Sequence, residues 1–190
     1  MIIPVVGIDP SLRNWGMAKG TYDTSTGLIA IHQLKVVQPV LSKSKQVRQN
    51  SLDLDSAKQL TDESMAWCAG HSAVFVEVPV GSQSARSMAS YGICVGVVGA
   101  LRSQGIPIYE VTPTEVKMAG HGSTTATKQQ MIDAAMRLHP TAKWPTVTIK
   151  GNTVVNASKA EHMADAVYAL HAGVASDTFR QFLSLLQATQ

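Results

Sequence analysis

Cysteine is almost absent from this sequence: Cys68 and Cys94 stand alone in 190 residues. Two thiols exclude a disulfide framework, and a reduced, intracellular setting is the default expectation. Neither has the spacing with histidine that zinc needs. Long apolar runs are missing as well. The longest, residues 92–101, is too short to span a bilayer and is rich in glycine. No basic region precedes the N-terminal apolar run, so a signal peptide is not expected and the expected location is cytoplasmic. What remains is modest charge and 45% hydrophobic residues, which fit one folded domain over residues 1–190 with a full core.

The net charge of +3 is mild but unevenly spread. Residues 35–48 carry Lys35, Lys43, Lys45 and Arg48 and no acid, and residues 117–159 carry six basic residues against one acid, Asp133. Such segments suit a polyanion, because phosphate contacts supply most non-specific nucleic-acid affinity. By themselves they also fit an ordinary solvated surface.

The opening stretch organises the chain. An apolar run over residues 2–8 ends on Asp9, and Pro10 then stops the strand. A buried strand that delivers a carboxylate at its end suits a metal or phosphate site, since the charge needs a counter-ion. The same residues fit an ordinary strand end followed by an Asp-Pro turn. Further strands are predicted over 14–22 and 27–37, with residues 23–27 as a turn, giving antiparallel pairing. His32 reads as a strand residue. Residues 38–52 read as a polar, basic, mobile connection, and a helix is predicted over 55–70 with Gly70 at its end.

A second apolar strand, residues 73–78, carries one acid, Glu77, just before Pro79 and Gly81. The helix predicted over 84–102 is rich in small residues. Gly92, Gly96 and Ala100 share a face that another backbone could approach, the sheet being slightly favoured over a second subunit. A strand at 107–111 is followed by Thr112-Pro113-Thr114-Glu115, a capping box with proline at the first helical position. The helix predicted over 126–138 has Lys128 in its first turn, where a cation opposes the helix dipole. A docked phosphate would account for it, and a merely solvated lysine remains the alternative.

Residues 143–157 read as a hairpin around Lys150-Gly151-Asn152. The last core helix starts near Ser158, with Ser158 and Glu161 at capping-box spacing, and places His162 and Asp165 on one face. A tail helix over 177–187 shows an amphipathic face and no chemistry. Asp9, Glu77 and Asp165, with His162, thus form a set of ligands on rigid elements. Oxygen-rich sites prefer Mg2+ or Mn2+, and two such ions can hydrolyse a phosphodiester. His71, His121, His139 and His171 show no cluster.

Gly7-Ile8-Asp9-Pro10 followed by Gly16, then Val76-Glu77, then His162-Met163-Ala164-Asp165-Ala166, resemble the RuvC-type Holliday-junction resolvases. The resemblance extends to Ser87, Gly92 and Gly96, and to Lys117, the glycine-rich loop and Lys128; it leaves the tail, residues 176–190, outside. It implies an α/β, RNase H-like fold: a mixed five-stranded sheet, its first three strands antiparallel, flanked by helices. It also implies a homodimeric, metal-dependent endonuclease acting on branched DNA, four-way junctions foremost. Asp9, Glu77 and Asp165 would bind the catalytic metals, Mg2+ with Mn2+ able to substitute. His162 would be a ligand or would position water, while Lys128 and Lys117 would serve the active site and scissile phosphate. The small-residue helix would lie at the dimer interface.

Two positions depart from the family pattern. Ser11 replaces the usual glycine after Asp-Pro, and Val80 stands where some relatives carry a bulky aromatic that wedges into the junction. The polar stretch from Gly81 to Arg86 resembles bacteriophage-encoded members. Arg13, Ser82, Gln83 and Arg86 are the expected DNA contacts, with helix capping the alternative for Ser82 or Ser84. A rival enzyme class, the actin-like ATPases and sugar kinases, also has an acid after its first strand. It needs a glycine-rich phosphate loop there, which Ser11-Leu12-Arg13 does not supply. A non-catalytic module that binds branched DNA through the basic surface alone is the third possibility.

Overall fold

A computed structural model describes residues 1–188. Three antiparallel strands open the chain: β1 (Ile2–Asp9), β2 (Trp15–Asp23) and β3 (Ile29–Val37). Their alternating apolar residues, among them Val6, Ile8, Trp15 and Met17, are fully buried. The turn after β2 closes on Asp23, whose carboxylate accepts hydrogen bonds from the backbone and hydroxyl of Ser25 and the hydroxyl of Thr26. Gly27, at φ +71°, supplies the left-handed residue there. His32 is a strand residue, as expected, its ring beside the Thr21 hydroxyl at 3.1 Å.

Helix α1 (Gln49–Cys68) begins six residues before the predicted start. The cause is tertiary. Asp53 accepts a bidentate pair of hydrogen bonds from the Arg86 guanidinium at 2.7 and 2.8 Å, and one from the Gln49 side chain. This anchor orders a polar first turn whose N-cap, Arg48, makes no side-chain cap. The non-helical connection is therefore limited to residues 38–48.

Strand β4 (Ala73–Glu77) pairs in parallel with β1, and β5 (Ile108–Val111) in parallel with β4, giving the sheet order β3-β2-β1-β4-β5. The mixed five-stranded sheet is the one expected. Between these strands runs α2 (Ala85–Ser103), capped by Ser84, whose hydroxyl accepts from the Ser87 backbone. Its Cys94, Val97, Val98 and Leu101 join one core layer with α1. The small-residue face does not lie against the sheet: a Cβ on Gly92, Gly96 or Gly99 would meet nothing within 4 Å. Bulkier apolar residues on the opposite side claim the sheet because they bury more area. Cys68 and Cys94 are both buried in this layer, and burial pushes each thiol up to about 12.

On the other face lie α3 (Pro113–His121), α4 (Lys128–Leu138) and α5 (Ala157–Ala175), followed by α6 (Asp177–Ala188). Thr112 with Glu115 and Thr127 with Gln130 form complete capping boxes. A separate two-stranded ribbon, β6 (Thr146–Ile149) and β7 (Asn152–Val155), connects α4 to α5. Helix α5 starts on Asn156 and not on Ser158: the Asn156 side chain accepts from the Lys159 backbone, and the Ser158 hydroxyl donates to Asn156. The expected Ser158–Glu161 capping box is absent, which releases Glu161. The tail helix is part of the core, because Phe179 is fully buried and packs edge-on against Phe75 and Tyr109. No helix among the described residues is long and apolar enough to cross a membrane.

Helix α5 presses directly onto the sheet. A Cβ on Gly7 would stand 1.9 Å from the Ala166 carbonyl, and one on Gly16 would stand 2.1 Å from the His162 carbonyl. At the far end of α5, a Cβ on Gly173 would stand 1.9 Å from the Phe75 ring. Neither carbonyl can yield without lifting the helix. Gly7→Ala should cost about 3 kcal/mol, lowering the thermal midpoint by roughly 6–12 °C; a calorimetric midpoint within a degree of the parent would contradict this contact.

Candidate active site

The ladder places the first two acids side by side. Ile8 pairs with Val76 in parallel register, so Asp9 and Glu77 are the next residues out at the C-terminal ends of adjacent central strands. Asp9 also faces Gly16 across the antiparallel ladder, and the His162 backbone lies on Gly16. The close approach of α5 therefore brings His162 next to Asp9. The ring Nδ1 of His162 and Oδ2 of Asp9 are 2.6 Å apart. One turn further along α5, Asp165 shares the same open pocket of about 510 Å3, lined by Asp9, Glu77, Lys117, Lys128, His162 and Asp165.

This pocket is short of positive charge. Among the described residues, Glu77 and Asp165 form no hydrogen bond or ion pair. Burial, then the neighbouring Asp9 and Asp165 charges, push the Glu77 carboxyl up to about 8, against a smaller pull from Lys117. Burial and the charges of Asp9 and Glu161 push Asp165 up to about 7. Burial raises Asp9 too, opposed by its hydrogen bond to His162. For His162, burial disfavours the charged ring, but Asp9, Glu161 and Asp165 together outweigh it and raise its value.

A divalent cation fits this donor set, since it would relieve repulsion that Lys117, Lys128 and His162 offset only in part. The carboxylates are not a closed cage, however. Among the described residues no three His, Cys, Asp or Glu side chains are gathered tightly enough to hold an ion as they stand. The four expected ligands share one pocket, with Asp9 turned onto His162 and the like charges of Glu77 and Asp165 apart from it.

The expected basic and polar contacts are placed less uniformly. Lys117 lines the pocket. Lys128, at the first position of α4, is neither free nor simply solvated: its Nζ pairs with Glu161 at 2.5 Å. Arg86 is tied to Asp53 and holds α1 against α2, away from the acids. Arg13 is exposed and lines open grooves beside the N-terminus of α2 with Asn14, Ser87 and Tyr91. Ser82 accepts from the Ser84 backbone, so it supports the cap that Ser84 makes, while Gln83 is exposed. Val80 is 82% exposed at the pocket edge.

Sequence reading missed two pocket residues. Capping-box spacing with Ser158 assigns Glu161 to a cap, and only its five-residue offset from Asn156 frees it. Tyr91, on α2, reaches the pocket with no signal in the local pattern. It also missed a buried histidine pair away from the site, His139 and His171, whose Nε2 atoms are 2.9 Å apart.

The pocket dictates a pH dependence of stability without metal. The folded-state values of Glu77 and Asp165 stand above their ordinary 4.5 and 3.8, so the fold retains protons that the unfolded chain releases. Stability should fall as pH rises from about 4 to about 8 and level off beyond. The raised His162 acts in the same direction, its contribution being lost as pH passes its folded value. Glu77→Gln should remove roughly half of this slope, Asp165 carrying most of the rest, and should stabilise the metal-free protein at pH 8. Urea titrations across the range will check it, and an unchanged slope would contradict the charge shortage.

No family model matches the chain. A curated relative, the crossover junction endodeoxyribonuclease RuvC of Anaeromyxobacter sp. (strain Fw109-5), is 41% identical over 71 residues. That match spans 37% of this chain and about a third (34%) of the relative's length. Among solved structures, Thermus thermophilus RuvC in complex with Holliday junction substrate aligns with a TM-score of 0.60 at 19% identity, over 87% of this chain and 92% of that one. The fowlpox virus resolvase, solved with substrate Holliday junction DNA, aligns at 0.52 and 12% identity, over 95% of this chain and 99% of its own. The yeast mitochondrial Holliday junction resolvase aligns at 0.52 and 14% identity, over 94% and 85%. With its mixed sheet, its acids at the ends of β1 and β4 and a third on the helix laid across them, this chain has the RNase H-like fold of the RuvC-type resolvases.

Proposed function

We propose that this protein is a divalent-metal-dependent endonuclease that cleaves Holliday junctions or related branched DNA. The observation that carries the reading is one pocket that collects Asp9, Glu77, His162 and Asp165 and leaves two of its carboxylates unpartnered. Asp9, Glu77 and Asp165 would hold the metal; Mg2+ suits these oxygen donors, with Mn2+ able to replace it. A pair of such ions supplies water activation and stabilisation of the departing 3′ oxygen of a phosphodiester.

The remaining roles belong to side chains of this chain. His162 orients Asp9 through Nδ1, which leaves Nε2 as the ring atom open to a ligand role or a proton. Lys128 sits where a helix N-terminus and an ammonium together favour an anion, and exchange of Glu161 for a substrate phosphate would turn it onto the DNA. Lys117 offsets charge beside Glu77. Arg13, Ser82, Gln83 and Arg86 remain the proposed backbone contacts, with Arg86 requiring release from Asp53 to take part. A second copy of the chain would place two such sites on one junction. The open Gly92, Gly96 and Gly99 face of α2 is where that copy would approach.

Purified protein with Mg2+ or Mn2+, offered a four-way junction, a flap and linear duplex side by side, tests the reading. Cleavage of the junction above the duplex is expected, and no divalent-dependent cleavage of any branched substrate would end the proposal. Asp9→Asn should lower the cleavage rate at least ~1000-fold, several kcal/mol of barrier, while DNA binding persists. Either ion should also raise the thermal midpoint at pH 8, and Asp9→Asn should abolish that rise. His162→Asp separates the two roles of the histidine: retained cleavage marks a ligand, complete loss a proton-transfer group.

A further inference from the structure

The ribbon formed by β6 and β7 has no structural task in the body of the fold that its residues reveal. It pairs with no other strand, and seven of its eight strand residues are exposed, Val155 alone being half-buried. Its base is fixed. The Asn156 backbone donates to the Pro145 carbonyl, and the Trp144 indole donates to the His139 carbonyl at the end of α4. From that base α5 begins, and it carries Glu161, His162 and Asp165 within its first turns. The ribbon is thus an arm rooted at the start of the helix that carries three of the pocket's residues.

Its two faces differ. Cross-strand partners share a face, so Val147 with Val154 and Ile149 with Asn152 make an apolar side, whereas Thr148 with Thr153 and Thr146 with Val155 make the other. Ile149 is 54% exposed. Charge identifies what the arm meets. From residue 134 to residue 160 the chain has no Asp or Glu, but it has Arg137, Lys143, Lys150 and Lys159. Among the described residues Lys143, Lys150 and Lys159 form no ion pair. Lys150 stands at the tip with φ +48°, beside Gly151 at +82°, a two-residue turn that ordinarily takes Asn-Gly or Gly-Gly. A lysine kept there puts a cation at the point of furthest reach.

We infer that this ribbon is a DNA arm that grips duplex flanking the cleavage site. Its apolar face lies toward a groove, and Lys143 and Lys150 lie on the phosphates. Two-stranded ribbons fit DNA grooves, and unpaired lysines without neighbouring acids match a polyanion better than a protein surface. The helical rise from Asn156 to Glu161 and the length of one strand together put the tip within about 21 Å of the pocket. At 3.4 Å per base pair, that is at most about six base pairs from the reacting phosphate.

The inference rests on the nuclease reading for its site but is scored separately from it. Binding of a four-way junction is measured without divalent metal, over a salt series, for the parent and for Lys143→Ala/Lys150→Ala. The double variant should bind roughly tenfold more weakly at moderate salt, and its log–log salt slope should fall by about two. Hydroxyl-radical footprinting should lose protection only on the flanking duplex, within about six base pairs of the cleavage site. Cleavage with Mg2+ at saturating protein should keep its rate. An unchanged slope and footprint would overturn the inference even if the parent cleaves junctions. So would a change in sedimentation without a change in DNA binding, which would make the ribbon a protein interface. If the parent cleaves nothing yet the slope falls as stated, the nuclease reading fails and the arm stands. A second variant, Ile149→Ser/Val154→Ser, separates the apolar face from the charges: it should weaken binding with the salt slope kept.

Discussion

The close seating of α5 on the sheet is the contact on which the site depends. Gly7 and Gly16 remove two side chains from the surface of β1 and β2, and the helix backbone occupies the space. Asp9 and Gly16 are ladder partners, so a helix that rests on Gly16 must carry His162 to Asp9. Asp165 follows one turn later. No loop closure or side-chain adaptability is involved; the paired strands β1, β2 and β4 and one helix laid on them set the relative positions of all four groups. A site on such elements is held more firmly than one on loops.

That rigidity has an electrostatic cost. Four carboxylates, those of Asp9, Glu77, Glu161 and Asp165, share a pocket with Lys117, Lys128 and one histidine, and both Glu77 and Asp165 are raised far above their ordinary values. The protein stores an arrangement that is unfavourable until positive charge arrives. Perturbed carboxyls in a cleft are the usual mark of a site whose chemistry uses that strain. The exposed ribbon and its flanks, by contrast, carry the unpaired cations Lys143, Lys150 and Lys159.

Much of this was legible in the residues. Apolar runs that end on Asp9 and Glu77 and then meet Pro10 and Pro79 define two strands and the positions of their acids without reference to anything distant. The turn at residues 23–27 and the capping box at Thr112 are equally local. What could not be read was set at long range. The start of α1 depends on Arg86 reaching Asp53 from another helix, so a polar stretch without a cap looked like loop. Ser158 and Asn156 both offer a cap, and the choice of Asn156 follows from the ribbon base that ends there. Glu161 changed role with that choice. The outward turn of the glycine face of α2 was decided by Cys94, Val97, Val98 and Leu101 competing for the sheet, which a count of small residues does not weigh.

The two cysteines have a practical corollary. Cys68 is 1% exposed and Cys94 fully enclosed, and both thiols titrate near 12, so neither presents a thiolate to a reagent at neutral pH. Maleimide chemistry will leave the native chain untouched. A single introduced thiol anywhere on the surface can therefore carry a fluorophore or a spin label without any background substitution, and distances within a DNA complex become measurable on the otherwise unaltered molecule.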